Sequence, residues 1–316
     1  MSNNTIVEAR KLERKKKRHS KLRQIRLDRQ QYVMLLPAVL LTIFFAYVPM
    51  VGIIVAFQDF NIFDGYFGSK FVGLANFEKI FTQAKFTTAI WNTLLVSVMN
   101  LVIGFPAPII LALLLNELKN GPFKKVTQTI SYLPHFLSMM AVIGIVHTLF
   151  GRDGFINDVR IALGASERIT YLAEQKYFVW FLVGIVMWKE TGWGTIIHLS
   201  SLSSISPDLY EAASIDGANR LQQTRYITLP HMLPTVVVLL IFQLGGLFRS
   251  NFELIYGLQN PYIDFEVIST IIYRTGIQGG DYSMSTALGV AEGLVALILV
   301  LSSNKIAKLI SGNGIM

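Results

Sequence analysis

Ser206-Pro-Asp-Leu-Tyr-Glu-Ala-Ala-Ser-Ile-Asp-Gly-Ala-Asn-Arg-Leu-Gln-Gln-Thr-Arg-Tyr-Ile-Thr-Leu-Pro230 is a polar stretch lying between two long apolar runs, and it is written as structure. Ser206 is a good N-cap, Pro207 suits the first helical position, and Asp208 complements the positive end of the helix dipole. The run from Leu209 to Asp216 contains strong helix formers, and Gly217 supplies a backbone that can take a positive φ and turn the chain. A second short helix is predicted from Asn219 to Ile227, stopping before Pro230. The whole reads as a helix-turn-helix elbow over residues 203–231. Its first helix presents Ala212 and Ala213, whose small side chains let another surface approach closely. An elbow that covers no core of its own is expected to dock into something.

The flanking composition explains where such an elbow sits. The chain has 316 residues, 52% of them hydrophobic and 15% charged, and it has no cysteine. A soluble protein carries about 25% charged residues. Six apolar runs are long enough to cross about 30 Å of hydrocarbon as helices. They run from Tyr32 to Phe57, Ile90 to Leu115, Val126 to Phe150, Tyr177 to Leu202, Met232 to Tyr256 and Met284 to Ile306. The runs are continuous rather than alternating, which favours helices over a barrel. A soluble enzyme, a disulfide-stapled module and a disordered chain are excluded, as are thiolate metal sites. The first run is about twice the length of a signal-peptide core and lacks a small-x-small site, so it reads as an anchor.

Charge gives the orientation. Residues 1–31 hold 11 Lys+Arg and 3 acidic residues, while the remaining 285 residues balance at 17 of each sign. This basic tail, centred on Lys15, Lys16, Lys17 and Arg18, is expected to hold the N-terminus in the cytoplasm and touch anionic lipid. It lacks interleaved aromatics, so no nucleic-acid partner is expected. With both termini inside, the inner segments hold 18 basic residues and the three outer loops, 58–89, 151–176 and 257–283, hold 8. The elbow is then cytoplasmic.

Inside the spans, polar residues stand out. Trp188-Lys-Glu-Thr-Gly-Trp-Gly194 interrupts the fourth run. An intramembrane charge costs about 2.5–3.5 kcal/mol, so Lys189 and Glu190 must face protein or water. At helical spacing Lys189, Glu190 and Trp193 share one face. Ammonium, carboxylate and indole together suit a sugar, through hydrogen bonds to hydroxyls and stacking on the ring. A helix-packing charge pair is the other reading of the same residues. Gln243, Arg249, Asn251 and Glu253 in the outer half of the fifth run either line a cavity mouth or are simply hydrated. Glu292 is a lone carboxylate in the sixth run, with pairing to Lys189, protonation and a cavity-facing position all open. Prolines 37, 49, 106, 108 and 134 within the first three runs are each expected to bend their helix. The five histidines show neither metal-ligand spacing nor a nucleophile–base arrangement, and read as packing or interfacial residues.

Glu211-Ala-Ala-x-x-Asp216-Gly217-Ala218, followed by Leu229-Pro230, is similar to the "EAA" loop of the permease subunits of ATP-binding-cassette importers. The wider chain resembles the carbohydrate branch of that family. The supporting stretches are Phe71-Val-Gly-Leu-Ala-Asn-Phe77, Phe123-Lys-Lys-Val-Thr-Gln-Thr-Ile-Ser-Tyr-Leu-Pro-His135, and Asn251-Phe-Glu-Leu-Ile-Tyr256 with Asn260-Pro261. Thr224 departs from the pattern, since relatives usually carry a bulky apolar residue there.

The resemblance implies an all-α membrane protein with six transmembrane helices over 32–310, in the bacterial cytoplasmic membrane. Its first elbow helix would be a coupling helix seated in an ATPase subunit, with Glu211, Ala212, Ala213, Asp216 and Gly217 as the coupling residues. Implied partners are a homologous second permease, two ATPase subunits, an extracytoplasmic solute-binding protein docking on the outer loops 58–89 and 151–176, and an oligo- or polysaccharide. The chain has no G-x-x-x-x-G-K-[ST] phosphate loop, so ATP and magnesium are expected on the partner subunits and no catalysis on this one. The rival readings are a stand-alone secondary transporter or channel, a permease for a non-sugar solute, and a membrane transferase. The elbow argues against the first, and no clustered acidic or histidine site supports the last.

Overall fold

The computed structural model describes residues 28–311; of the basic tail, only residues 28–31 fall within that range, so the reading of the tail lies outside the described residues. The chain divides after residue 54 into two compact units. In the first, α1 (Arg29–Thr42) contains Pro37 and continues through a π-helical turn at Ile43–Tyr47 into a tighter 3-10 helix that begins at Val48.

The second unit is helical apart from a two-stranded antiparallel ribbon, β1 (Gln58–Asp59) with β2 (Lys70–Phe71), in which Gln58 pairs with Phe71. Buried Asn76 ties this ribbon to the start of the short helix α2 (Ala75–Thr82), its amide donating to the carbonyls of Ala56 and Gln58 at 3.0 and 2.9 Å. The elements that follow are α3 (Ala84–Met99), α4 (Pro106–Glu117), α5 (Pro122–Tyr132), α6 (Met139–Phe150), α7 (Phe155–Ala162) and α8 (Gln175–Ser203). After them come α9 (Pro207–Ile215), α10 (Arg220–Gln223), α11 (Leu229–Gly245), α12 (Phe252–Leu258), α13 (Ile268–Ile272) and α14 (Tyr282–Ser311).

Among the described residues five helical stretches are long and apolar enough to cross a membrane: Arg29–Phe57, Ala84–Glu117, Met139–Ala162, Arg220–Gly245 and Tyr282–Ile306. At most 22% of any of their apolar windows is buried, so these helices turn most of their hydrophobic surface outward, as lipid requires. Helix α8 has 29 residues, enough for about 44 Å at 1.5 Å per residue, and is not one of the five. The polar turn around Lys189 and Glu190 lowers its hydropathy.

Three sequence expectations are corrected. The third run is not one helix: α5 ends at Tyr132, a 3-10 turn covers Leu133–Phe136, and Leu137 is extended before α6 begins. Pro134 cannot donate to the helical ladder, and Ser138 restarts the helix by accepting the Ala141 N–H at 3.2 Å. The fifth run likewise breaks after Gly245 and restarts at Phe252, where Asn251 caps α12 by accepting the Leu254 N–H at 3.1 Å. The second elbow helix does not stop before Pro230; it runs on through Thr224–Thr228 into α11.

One device explains how the chain passes Pro49, Pro106 and Pro230 without breaking. Before each proline lies a five-residue π-helical turn: Ile43–Tyr47, Asn100–Gly104 and Thr224–Thr228. In each, the N–H just before the proline bonds five residues back: Val48 to Ile43, Phe105 to Asn100 and Leu229 to Thr224. The wider turn moves aside the carbonyl that a proline ring would strike in an α-helix. Thr224 opens the third of these turns, its hydroxyl donating to the Arg220 carbonyl at 2.9 Å.

Three buried clusters hold the unit together. Val96, Val142, Leu182 and Leu254 join α3, α6, α8 and α12. Ile80, Phe86, Ile271 and Leu288 join α2, α3, α13 and α14. Ala112, Leu202, Ile205 and Met232 join α4, α8 and α11, with Tyr210 of α9 packed against them.

Candidate functional site

Two glycines let α8 approach its neighbours. A Cβ at Gly192 would overlap the Ser131 carbonyl of α5, and one at Gly194 would come within 3.0 Å of the Pro108 ring of α4. This close seat brings the middle of α8 against the 3-10 turn that breaks the third run. There Lys189, 7% exposed, donates to the His135 carbonyl at 2.5 Å, a main-chain acceptor that the Pro134 break leaves outside the helical ladder. Glu190 lies 2.9 Å from His135 Nδ1 and 3.7 Å from the Lys189 ammonium. The His135 ring stacks on Trp193 at 4.5 Å with 4° between the planes, and Phe136 meets the same indole edge-on.

The structure therefore brings Lys189, Glu190 and Trp193 into one cluster, but with different tasks. Glu190 and Trp193 line a cavity of about 380 Å³, together with Asn100, Pro108, His198 and Gln243. Lys189 does not line it; buried beside His135, it holds the turn in place and balances Glu190. Two polar atoms at this cavity are buried without a hydrogen-bond partner, Asn100 Oδ1 and Nδ1 of His198, whose side chain is 2% exposed. Orphaned groups of this kind are rare unless water or a ligand meets them.

A second cavity of about 160 Å³ adjoins the first and shares Asn100, Val186 and Gln243 with it. Its remaining polar lining comes from Ser97 and from the break after Gly245, which contributes Arg249, Ser250 and Asn251. Gln243 and Asn251 thus belong to the lined space, whereas Glu253 is exposed on α12 and lines neither cavity. Glu292 does not pair with Lys189; the charge acting on it is that of Arg249. Asn100, His135 and His198 were not singled out by the sequence as site residues. Pro134, immediately before it and five residues ahead of the helix restart at Met139, is the signal that marks His135, while Asn100 and His198 carry no local pattern at all.

The polar stretch over 206–230 is held by its own hydrogen bonds. Ser206 Oγ accepts from the Asp208 N–H at 3.3 Å, and Gly217 stands at φ +81°. Asn219 and Gln222 form a reciprocal capping box at 2.9 and 2.8 Å. The Tyr210 hydroxyl lies 3.0 Å from that of Thr228, and Gln223 donates to Ser214 Oγ at 2.9 Å, so α9 is fastened to α10 and to the π-helical turn that leads into α11. Glu211, Ala212 and Asp216 are exposed and Ala213 is half-buried. Ile215 and Leu221, at 87% and 77% exposure, flank the Gly217 turn as uncovered apolar side chains.

Lipid-facing helices around polar, partly unsatisfied cavities, with a rigid polar appendage between two of the helices, define a helical membrane permease. The chain belongs to the family described as binding-protein-dependent transport system inner membrane component, which matches residues 104–312. It is 40% identical over 304 residues to the polygalacturonan/rhamnogalacturonan transport system permease protein YteP of Bacillus subtilis (strain 168), covering 96% of this chain and 95% of that one. Protein LplB of the same organism is 37% identical over 294 residues, covering 92% of each chain. Among solved structures, a chain of a bacterial alginate ABC transporter in complex with an alginate pentasaccharide-bound periplasmic protein superposes with a TM-score of 0.85 at 38% identity, covering 93% of this chain and 99% of that one.

Proposed function

We propose that this protein is one of the two transmembrane subunits of an ATP-driven importer that moves an oligosaccharide or polysaccharide fragment inward by alternating access. The single observation that carries the reading is the match, over nearly the full length of both chains, to permeases of polysaccharide importers. The adjoining polar cavities support it, because hydroxyl-rich cargo needs amide, carboxylate and aromatic surfaces within the membrane.

In this reading α8 is a sixth crossing whose polar middle faces the pathway, and both termini are cytoplasmic. Glu190, Trp193, Gln243 and Asn251 contact saccharide, Lys189 positions the turn at His135, and Glu253 stands at the mouth. The elbow is cytoplasmic and its helix α9 couples to an ATPase subunit through Glu211, Ala212, Ala213, Asp216 and Gly217, with Ile215 and Leu221 supplying apolar contact. A homologous permease completes the pathway, two ATPase subunits bind ATP and magnesium, and an extracytoplasmic binding protein delivers the cargo to the outer loops. The test is uptake of labelled oligosaccharide into proteoliposomes holding the assembled importer. ATP-dependent accumulation is expected, and equal accumulation from liposomes lacking the ATPase subunits would overturn the proposal.

A further inference from the structure

Three ionisable side chains line the adjoining cavities, Glu190 and His198 in the larger and Arg249 in the smaller. Glu190 is compensated on the spot by Lys189 and His135. Arg249 is not: its main-chain N–H donates to the Gly246 carbonyl at 2.8 Å, but among the described residues its guanidinium makes no hydrogen bond and joins no ion pair. Glu292 of α14 acts on it from beyond ion-pair distance. The lining as a whole therefore presents one cation without a contacting counter-charge. Arg249 is exposed in the break after Gly245, and the planar fork of donors on its guanidinium matches a carboxylate in two parallel hydrogen bonds.

The groups around it complete a site for a carboxylated sugar. Asn251 has its oxygen committed to the Leu254 N–H, which leaves its amide nitrogen as a donor. The side-chain amide of Gln243 makes no hydrogen bond among the described residues, and Gln243 lines both cavities. Asn100 Oδ1 is a buried acceptor with nothing to accept, which a sugar hydroxyl would satisfy. A neutral saccharide would use these amides and leave the guanidinium unpaired.

We propose that Arg249 is a specificity-determining residue that binds a carboxylate of the cargo, so that the pathway selects uronate-bearing saccharides. This rests on the import reading above and adds the charge of the cargo to it. The test is equilibrium dialysis of radiolabelled trigalacturonate, and of its fully methyl-esterified neutral form, against the solubilised importer with no binding protein added. The wild type is expected to bind the acid at least tenfold more tightly than the ester. Arg249→Gln should lower affinity for the acid at least tenfold, erasing the preference, while Arg249→Lys keeps part of it because the charge remains. Co-purification of the ATPase subunits checks that each variant is assembled. Equal wild-type affinity for the two forms, or a preference that survives Arg249→Gln, would overturn the proposal while leaving saccharide import standing. Loss of assembly in Arg249→Gln with no preference in the wild type would likewise overturn it, assigning Arg249 to the permease–permease contact. Binding of neither form by the wild type would overturn the saccharide reading itself, and this assignment with it.

Discussion

At Gly217 the backbone stands at φ +81° with nothing within 4 Å of where a Cβ would go, so a side chain there is opposed by conformation and not by space. An L-residue in this region costs about 1–2 kcal/mol, and asparagine less than a β-branched residue. Gly217→Val is expected to lower the saccharide transported per ATP hydrolysed while the chain still inserts and assembles, and Gly217→Asn to restore much of the ratio; simultaneous uptake and phosphate-release assays measure it. Gly192 is the opposite case, since a Cβ there meets the Ser131 carbonyl. Gly192→Val should destabilise the folded protein by about 1–3 kcal/mol through overpacking, read as a lower melting temperature in detergent. Gly184→Ala, on the same helix with open space around it, serves as the silent control. Trp193→Ala removes the partner of the His135 stack and one wall of the larger cavity. Uptake should fall several-fold with the ATPase subunits still bound, and loss of those subunits would mark Trp193 as a packing residue instead.

Among the elements, the π-helical turns are where sequence reading failed. Pro230 was legible as a helix stop because a proline in a regular α-helix is one, and the residue before it avoids the helical region. What the periodicity could not show is that Thr224–Thr228 accommodates it by taking one extra residue into the turn. Pro230→Ala removes the need for that extra residue. If the turn relaxes to α-helical pitch, α9 and α10 rotate by about 100° relative to α11. The expected result is an assembled importer whose ATP hydrolysis no longer drives uptake; unchanged coupling would show that the turn persists without its proline. The breaks at Leu137 and after Gly245 were hidden for a different reason. Apolar composition reports which residues prefer lipid, and an uninterrupted apolar run says nothing about where the backbone inside it bends.

For the molecule as a whole, the membrane class, the helical architecture and the family were readable from the apolar runs and from Glu211 to Gly217, because those signals are local. The site was readable only in part. Lys189, Glu190 and Trp193 announce themselves as polar residues where lipid would not tolerate them, and the structure does gather them. His135, Asn100 and His198 acquire their roles from elements 40 to 150 residues away, which no spacing rule reaches. The pairing of the three π-helical turns at Ile43–Tyr47, Asn100–Gly104 and Thr224–Thr228 with the proline behind each constrains how the sequence can drift. Deleting one residue from such a turn would drive the ring into the backbone ahead of it, and replacing the proline alone would leave a surplus residue with no reason to stay. Neither change is tolerable by itself, so descendants of this chain should keep or lose both together, and an aligned gap at residues 100–104 or 224–228 should coincide with the loss of Pro106 or Pro230.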